Sequence, residues 1–346
     1  MKNEKIAIVV GISGMDGEAM THLLLSKGYK VVGSYRKNTQ LNLESLLNSY
    51  NNNPNLSLEY CDITDSYSVE FLIKNVLEKY GKIDEIYLLA AQSHVGKSFF
   101  SSESTVICNG FSVYYFLEYI NSLTKNTRLY FAGTSELMGG DPKNCPFNED
   151  SPYECRSPYA IGKELGTRWI KYYNQTYGIY ACYGVLFNHS NCSRGRDFYI
   201  RTVTNAAAKI ALGKQSELWL GSLDFWRDEH WADFGMEMAW KMLQQDKPET
   251  FVIARGEAFH GEDILTKAFG VFNLKWQDYV KFDKNKIRPN EVLKLVGSPN
   301  KAIEKLQWNP NRMPFKDHIE LMCRYDYELE STGKATRPDV FSLYPK

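Results

Sequence analysis

The fold class is indicated by a stretch near the start of the chain, Ile6-Ala-Ile-Val-Val10-Gly11-Ile-Ser-Gly14-Met-Asp-Gly17. Its first five residues are apolar and predict a buried strand, and a helical pattern from Glu18 to Lys27 follows the glycines. The spacing GxxGxxG between a strand and a helix is typical of a turn that binds the pyrophosphate of a dinucleotide on the amides of the helix N-terminus. The alternative, a glycine-rich turn without a ligand, is disfavoured by that context.

Further apolar runs alternate with helical stretches through the first half of the chain. These runs predict strands at 31–35, 56–60, 86–91, 128–133 and 180–187. Apolar strands separated by helices indicate an α/β fold with a Rossmann-type doubly wound parallel sheet, covered by helices on both faces. The asparagine-rich segment from Leu46 to Asn55 predicts a loop or a frayed helix end.

The second half of the chain changes character. After about residue 189 the alternation weakens, and proline, arginine and tryptophan become more frequent. A chain of 346 residues is long enough for one large α/β domain and a smaller C-terminal lobe. We therefore predict an NADP-binding domain over 1–188 and 232–256 and a substrate-binding lobe over 189–231 and 257–346.

Composition argues against several classes of protein. Lysine and arginine total 41, as do aspartate and glutamate, and this balance gives no support for binding to nucleic acid or to a membrane surface. The seven cysteines are scattered without a CxxC pair, so neither a disulfide framework nor a metal site is expected. No apolar run reaches the roughly 18 residues of a membrane span, and the cytoplasm is the expected location.

The residues after the second predicted strand favour NADP over NAD. NAD sites usually place an acid there to hold the ribose hydroxyls, whereas this chain has Arg36-Lys37. An arginine guanidinium suits a 2′-phosphate. The alternative is that Arg36 is a solvated surface residue. Asp62 and Ile63, after the third predicted strand, are expected to meet the adenine.

Tyr159 and Lys163 form a YxxxK pair preceded by Arg-Ser-Pro. On a helix these positions lie on one face, so the ammonium can lie close to the phenol. A tyrosine with its ordinary pKa is a poor base at neutral pH, but a nearby lysine and a positive nicotinamide favour the phenolate. The pair therefore predicts an acid–base group for dehydrogenase chemistry.

Thr134 and Glu136 are expected at the carboxyl end of the fifth strand, the edge at which ligands bind in open parallel sheets. Residues i and i+2 of a strand point to the same side, so both side chains can face one substrate. A plain dehydrogenase needs only the hydroxyl, whereas the carboxylate makes a second proton transfer available. The alternative is that Glu136 caps the following loop.

The chain contains, in this order, the segments GISGMDG, AAQSHVGKSF, GTSELMG, RSPYAIGKE, LFNHS and MLQQDKPETFVIARGE. Together they resemble the GDP-mannose 4,6-dehydratase family, which includes relatives that act on GDP-manno-heptose. The resemblance continues through Arg288-Pro-Asn-Glu291 to Leu306-Gln-Trp308, so it covers most of the chain. It implies an extended short-chain dehydrogenase fold, NADP as cofactor, a GDP-sugar as substrate, and a homodimer or homotetramer.

The resemblance also assigns roles to individual residues. The implied catalytic residues are Thr134, Glu136, Tyr159 and Lys163. The implied cofactor contacts, besides Tyr159 and Lys163, are Gly11, Ser13, Gly14, Met15, Asp16, Gly17, Arg36, Asp62, Ile63, Leu89, Ala90, Ala91, Gln92, Ser93, His189 and Arg194. The implied substrate contacts are Ser93, Asn188, Arg227, Arg288 and Glu291. Without the resemblance, His189 would more often be a satisfied buried histidine.

Several positions depart from the family's pattern. A tyrosine after the AAQSH segment is Ser104 here, and in the stretch NHES-P-RRGE the proline is Cys192 and the final glutamate is Arg196. The usual RDWGH becomes Arg227-Asp-Glu-His-Trp231. The residues of the chemistry are intact and those beside the pocket differ, which leaves open which sugar is bound.

The reaction implied is a dehydration in which the hydride is recycled. Tyr159 takes the proton of the sugar 4-hydroxyl, Glu136 removes the proton on C5, and the 6-hydroxyl leaves as water. Two alternatives are a C4 dehydrogenase or 4-epimerase, which would not need Glu136, and a non-enzymatic NADP-binding scaffold. If Glu136 is not the base, His189 and Asp228 are the next candidates.

Overall fold

A computed structural model describes residues 4–36, 50, 53–287 and 290–345. The strands are β1 (Ile6–Val10), β2 (Lys30–Tyr35), β3 (Leu56–Tyr60), β4 (Glu85–Leu88), β5 (Arg128–Ala132), β6 (Ala181–Leu186), β7 (Asn188–Ser190), β8 (Leu218–Leu220), β9 (Trp226–Trp231), β10 (Phe251–Ile253), β11 (Ala258–His260), β12 (Val280–Phe282) and β13 (Lys294–Leu295). The helices are α1 (Met15–Ser26), α2 (Ser66–Tyr80), α3 (Val95–Ser98), α4 (Ser102–Val106), α5 (Ser112–Leu123), α6 (Pro158–Tyr177), α7 (Tyr199–Ala211), α8 (Ala232–Leu243), α9 (Gly261–Gly270), α10 (Asn300–Leu306), α11 (Phe315–Thr332) and α12 (Val340–Leu343). A π-helical turn, Ile107–Phe111, precedes α5, and 3₁₀ turns span Ser135–Met138, Pro142–Asn144, Trp276–Asp278 and Lys284–Lys286.

The main sheet has seven strands in the order β10-β6-β5-β4-β1-β2-β3. The pairs from β3 to β6 are all parallel. The order reverses between β1 and β4, and such a switch point is where ligands bind in open parallel sheets. All five residues of β1 are buried, as expected for a central strand covered on both faces. The predicted doubly wound parallel sheet is therefore confirmed.

Several predicted boundaries were wrong by a few residues. The predicted strand 86–91 ends at Leu88, and the predicted strand 128–133 ends at Ala132. The helix after the glycine turn begins at Met15 rather than Glu18. Leu89-Ala-Ala91 after β4 and Gly133 after β5 continue the run of residues without charge, so apolarity alone does not mark where strand pairing stops. The loop predicted from Leu46 to Asn55 lies largely outside the described residues.

The chain divides into two units. Unit 1 comprises Met1–Leu137, Pro152–Leu186 and Asp233–Phe251, and the division runs through β10. Unit 2 comprises Met138–Ser151, Phe187–Ala232 and Val252–Lys346. In unit 2, β9 pairs with β7, β11 and β13, and β8 pairs with β12.

Two further features follow from the side chains. All seven cysteines are free thiols. In the part of the chain that the structure describes, no helix combines the length and the apolarity that a membrane crossing requires.

Candidate active site

The glycine turn after β1 is closed by its own backbone. Gly11 has a φ of 90°, and its N–H and that of Ile12 both donate to the carbonyl oxygen of Ser34 on β2. A Cβ on Gly11 would lie 2.9 Å from Ala90, and a Cβ on Gly17 would overlap the carbonyl oxygen of Gly11. These two glycines are therefore required by backbone packing.

Gly14 has a different role, because it leaves the end of α1 open. Gly14 is the N-cap of α1. Among the described residues, the carbonyl oxygen of Gly11, at 3.3 Å, is the only atom within 4 Å of a Cβ built on Gly14. The amides of Met15, Asp16 and Gly17 are in the first turn, where no helical acceptor is available. This turn, which also contains Ser13, therefore fits the pyrophosphate of a dinucleotide.

Arg36 is an exposed residue that directly follows β2, whereas Lys37 lies outside the described residues. Asp62 is in the turn after β3, where its Oδ1 accepts hydrogen bonds from the amide (3.0 Å) and the hydroxyl (2.7 Å) of Thr64. The adjacent Ile63 is buried. Burial raises the pKa of the Cys108 thiol, while a hydrogen bond with the Gln92 backbone and the charges of Lys163 and Arg36 lower it.

The segment Leu89 to Ser93 follows β4 and is tied to the end of β1. The amides of Leu89 and Ala90 both donate to the carbonyl oxygen of Val10, at 3.1 and 2.8 Å. Gln92 exchanges two hydrogen bonds with the side chain of Asn109, at 2.9 and 3.0 Å. This arrangement fixes the backbone of Leu89, Ala90, Ala91, Gln92 and Ser93 beside the glycine turn.

Asn109 was missed by the sequence analysis. It is 1% exposed and lies in the π-helical turn before α5. The signal in the sequence is a single asparagine in the mostly apolar run Val106-Ile-Cys-Asn-Gly-Phe111. Its importance depends on the π turn, a feature that recurs at functional sites and that hydrophobic periodicity does not reveal.

Tyr159 and Lys163 lie in the first turns of α6. Ser157 caps this helix by accepting a hydrogen bond from the amide of Ala160, and Pro158 occupies the first helical position. Lys163 is 2% exposed, and its Nζ lies 6.0 Å from the centre of the Tyr159 ring. The predicted placement of the pair on one helix face is therefore confirmed.

The surroundings of Lys163 control its charge. Its Nζ donates a 2.8 Å hydrogen bond to the carbonyl oxygen of Ala132, the last residue of β5. Burial lowers the pKa of the Lys163 ammonium to about 8, and interactions with Cys108 and with Asp16 of the glycine turn act in the opposite direction. The helix, the end of β5 and the glycine turn thus meet at this ammonium.

Thr134 and Glu136 come together in a way that the sequence analysis did not predict. We expected two residues on one face of a strand, but β5 ends at Ala132, and Ser135–Met138 form a 3₁₀ turn. The amide of Glu136 donates a 3.3 Å hydrogen bond to the Thr134 hydroxyl. The strand argument was wrong, because the tight turn rather than strand alternation makes these residues neighbours.

Cys155 lies in the segment before α6. Burial, the hydrogen bond to Glu164 and the charges of Glu164 and Glu136 raise the pKa of the Cys155 thiol to about 12. The thiol donates a 3.3 Å hydrogen bond to Glu164, which is also paired with Arg168 at 2.6 Å. Cys155 and Glu136 both belong to unit 1.

Unit 2 contains the other predicted contacts. His189, beside Asn188 on β7, bonds through Nδ1 to the carbonyl oxygen of Phe187 at 2.8 Å and stacks on His230 with 5.3 Å between ring centres. The Arg194 guanidinium lies 3.6 Å above the ring of Phe198.

Arg227 and Glu291, both predicted to contact substrate, are brought together in unit 2. Nη2 of Arg227 lies 3.1 Å from Oε1 of Glu291. Arg288, predicted to act with them, lies outside the described residues.

Asp228 is unsuited to be the base. It is 0% exposed, and its carboxylate accepts hydrogen bonds from the amides of Arg255 (2.6 Å), Gly256 (2.8 Å) and Gly297 (3.3 Å). Burial raises the pKa of its carboxyl to about 7, and these three bonds act against that rise. Asp228 holds two loops of unit 2 together.

The fold and the tyrosine–lysine pair define the extended short-chain dehydrogenase/reductase class. A solved structure with this fold is the UDP-glucuronic acid 4-epimerase from Bacillus cereus in complex with UDP-glucuronic acid and NAD. Its TM-score is 0.81 at 20% sequence identity, covering 94% of this chain and 99% of that chain.

The family model for GDP-mannose 4,6 dehydratase matches residues 8–322. GDP-mannose 4,6 dehydratase 2 from Arabidopsis thaliana is 37% identical over 339 residues, which cover 95% of this chain and 89% of the relative. GDP-mannose 4,6-dehydratase from Yersinia enterocolitica serotype O:8 is 38% identical over 353 residues, which cover 92% of both chains. The chain belongs to the GDP-mannose 4,6-dehydratase family. It is an enzyme of the hydro-lyase class, and the family uses a nicotinamide cofactor.

Proposed function

We propose that the chain removes water from a GDP-activated sugar of manno configuration and forms its 4-keto-6-deoxy derivative. The observation that carries the proposal is the 3₁₀ turn after β5, in which the Glu136 amide donates to the Thr134 hydroxyl, so that a carboxylate-bearing residue and a hydroxyl-bearing residue are neighbours at the carboxyl edge of the sheet. Lys163 bonds to Ala132 at the start of the same segment. A C4 dehydrogenase or 4-epimerase needs a tyrosine–lysine pair but would not need that carboxylate.

The sugar is proposed to be GDP-mannose, with GDP-D-glycero-manno-heptose as the second candidate. The names of the curated relatives support GDP-mannose. Departures beside the pocket support the heptose, because Glu229-His230-Trp231 and Cys192 stand where the family has other residues. A sugar with one more carbon requires a pocket of different shape.

We propose NADP as the cofactor. The first-turn amides of α1 would bind its pyrophosphate, and Arg36 would bind the 2′-phosphate. Asp62 and Ile63 would lie against the adenine, while the segment Leu89 to Ser93 would follow the nicotinamide half. When bound, the nicotinamide supplies a hydride acceptor for C4 and returns the hydride at C6.

Tyr159 is the acid–base group of the opening step. Its phenol oxygen takes the proton of the sugar 4-hydroxyl while C4 is oxidised. Lys163 lies close to that ring, and its ammonium stabilises the phenolate by charge. The 2.8 Å bond from Lys163 to Ala132 fixes the ammonium, so the pair is arranged before substrate arrives.

Glu136 carries out the elimination. The 4-keto group acidifies the proton on C5, and the Glu136 carboxylate removes it. The same carboxyl then gives a proton to the departing 6-hydroxyl, which leaves as water, and C5 takes up a solvent proton through Glu136 when C6 is reduced. The Thr134 hydroxyl donates to the sugar oxygen at C4 and opposes the charge that develops there.

Residues of unit 2 and of the β4 edge are proposed to hold the remaining groups. Asn188, Arg227, Glu291 and Arg288 would bind the nucleotide sugar, with Ser93 from the segment after β4. His189 and Arg194 would close the nicotinamide side.

The assembly is proposed to be a homodimer or homotetramer in the cytoplasm. The resemblance to the family supports the oligomer, and the lack of a long apolar run in the sequence is the basis for the location. Light scattering at micromolar concentration tests it: the mass should be at least twice the 39.9 kDa of one chain, and a monomer would overturn the proposal.

The reaction is tested by incubating the purified protein with GDP-mannose and, separately, with GDP-D-glycero-manno-heptose. Mass spectrometry of the products should detect the loss of one water from one of the two sugars. In heavy water the product should carry deuterium at C5, because that proton passes through Glu136. A product that keeps its mass but changes configuration at C4 would identify an epimerase instead.

A further inference from the structure

The β7–β9 pair of unit 2 gathers polar side chains on one face. These strands are parallel, with Asn188 opposite Glu229 and Ser190 opposite Trp231. Because side chains alternate along a strand, Asn188, Ser190, Arg227 and Glu229 lie on the same face. Two of these residues, Asn188 and Arg227, belong to the proposed substrate site. Glu229 is directly opposite Asn188 and two residues after Arg227 on β9, and it has no assigned role.

Glu229 is a buried carboxylate with an incomplete set of partners. It is 3% exposed, and the Ser190 hydroxyl donates a hydrogen bond to it. Within the described ranges, no donor reaches its Oε1. A buried charge persists only where opposite charges or hydrogen bonds offset its desolvation.

Positive charge acts on this carboxylate, from Arg227 on the same face of β9 and from groups farther away. Burial raises the pKa of the Glu229 carboxyl, and the Ser190 hydrogen bond and the charges of Arg194, His189 and Arg227 favour the ionised form. Arg227 has a second carboxylate partner, Glu291, at 3.1 Å. The Glu291 side chain is 27% exposed, so Glu229 is the buried one of the two.

The side chains on the opposite face of β9 make structural contacts within unit 2. Asp228 and His230 point there, since they alternate with Arg227 and Glu229. Asp228 accepts backbone amides, and His230 packs against His189 and against Trp308 at 5.6 Å. Neither group can therefore supply the counter-charge on the substrate face.

We propose that Glu229 is a positioning residue for nucleotide-sugar binding, which orients Asn188 and Arg227 from the protein side. The inference rests on the proposed function. It also accounts for a departure in the sequence: the stretch NHES carries its glutamate where this chain has Ser190, and RDWGH has a tryptophan where this chain has Glu229. A carboxylate on β9, bonded to Ser190, stands in for one on β7.

The first test removes the charge of the Glu229 side chain and keeps its shape. In Glu229→Gln, the dissociation constant of GDP, measured by calorimetry, and the KM for GDP-mannose should both rise about tenfold, the scale of one charge-assisted hydrogen bond. The kcat should stay within about twofold, because the groups of the chemistry are in unit 1. The matched control is Glu237→Gln, a buried glutamate of α8, which should leave GDP binding and KM unchanged.

The second test restores the charge from the neighbouring strand. The double variant S190E/E229Q should bind GDP within about threefold of wild type, since position 190 is adjacent to the lost carboxylate. Ser190→Ala is a milder change that keeps Glu229 in place, and it should weaken GDP binding about threefold. This variant replaces Glu229→Gln in the test if Glu229→Gln does not fold.

The outcomes separate the two proposals. If wild-type protein neither binds GDP nor dehydrates a GDP-sugar, the proposed function fails and this inference fails with it. If the wild type does both and Glu229→Gln or Ser190→Ala binds GDP equally well, only the positioning role is overturned. A fall in kcat with unchanged GDP affinity, or no recovery in S190E/E229Q, would overturn it as well.

Discussion

At the scale of single residues, burial controls the charge of Lys163, and the proposed mechanism depends on that charge. The ammonium is surrounded by protein and bonded to one carbonyl oxygen, that of Ala132. Desolvation disfavours the charged form of a buried amine, and this lowers the pKa of Lys163 to about 8. In the proposed mechanism, protonated Lys163 would stabilise the Tyr159 phenolate, whereas neutral Lys163 would not.

Activity should therefore fall on the alkaline side of this pKa. Lys163 keeps its charge below about 8 and loses it as the pH rises further, so kcat/KM should decrease as the pH rises through that value. Lys163→Arg retains a charge at every accessible pH and should move the decrease to higher pH, at lower absolute activity. If both proteins lose activity at the same pH, another group sets the alkaline limit.

The same scale separates residues that could be predicted from those that could not. Tyr159 and Lys163 were predictable because their spacing alone puts them on one helix face. Asn109 was not, because its contact with Gln92 is made across 17 positions of sequence through a π-helical turn. Spacing within one element can be read locally, but a contact made by tertiary folding cannot.

At the scale of elements, the glycine turn depends on two close approaches of backbone. Gly17→Ala would push a methyl group into the carbonyl oxygen of Gly11, so the start of α1 must move away from β1. We expect the protein to lose at least about tenfold in cofactor affinity and about 1–3 kcal/mol of unfolding free energy, the range for overpacked sites. Calorimetric titration with NADP and chemical denaturation measure the two effects.

Gly270→Ala is the matched control for this change. Gly270 ends α9, and a Cβ there would meet no described atom within 4 Å. Stability should stay the same or rise by a few tenths of a kcal/mol, because alanine restricts the unfolded chain. Equal effects at positions 17 and 270 would contradict the packing argument.

A buried ion pair holds α11 against α7 in unit 2. Arg201 donates through Nε to both oxygens of Asp326, at 2.8 and 3.0 Å, and Thr204 donates to the same carboxylate at 2.8 Å. Nη1 of Arg201 also donates to the carbonyl oxygens of Cys192 and Arg194. The pair therefore fixes the turn that carries Arg194.

Asp326→Asn should cost about 3–5 kcal/mol, because it leaves the Arg201 charge buried without its counter-ion. The control is Glu320→Gln, which breaks the exposed pair with Arg324 on the same helix and should cost no more than about 1 kcal/mol. Urea denaturation of both variants measures the difference. Comparable losses would mean that the buried pair contributes nothing beyond a surface one.

The segment after β5 shows where element-level prediction stops. The strand and its carboxyl edge follow from apolarity, and the edge was predicted as the location of Thr134 and Glu136. The 3₁₀ turn does not follow, since Ser135-Glu-Leu-Met138 carries neither glycine nor proline. The roles of Thr134 and Glu136 stay a prediction, whereas the strand geometry expected to join them was wrong.

At the scale of the whole molecule, the sequence predicted an interleaved division of the chain. Strand alternation identified the main sheet, and its weakening after about residue 189 identified a second lobe. The segment Met138–Ser151 belongs to unit 2, which no local pattern indicated, because Phe147 joins it to distant Val296 through a backbone hydrogen bond. The predicted domain bounds stay a prediction, which limited proteolysis can test.

The purified protein is expected to retain its bound cofactor. A recycled hydride requires tight retention, because a reduced cofactor that departs would strand the keto intermediate. Extraction of purified protein should therefore release mainly NADP(H), and Arg36→Asp should weaken NADP binding by roughly 1–3 kcal/mol, the scale of a hydrogen bond to a charged group. Recovery of mainly NAD(H) would contradict the assignment of Arg36.

The central claim is that the Glu136 carboxylate performs the elimination, while Tyr159 opens the reaction. The most direct measurement adds GDP-sugar to Glu136→Gln and follows the near-ultraviolet absorbance of reduced nicotinamide together with the mass of the sugar. We expect that absorbance appears and that the 4-keto sugar keeps its 6-hydroxyl, whereas Tyr159→Phe should give neither signal and lose about 10² to 10⁴ in rate. Release of the 6-deoxy-4-keto product by Glu136→Gln at nearly the wild-type rate would contradict the account.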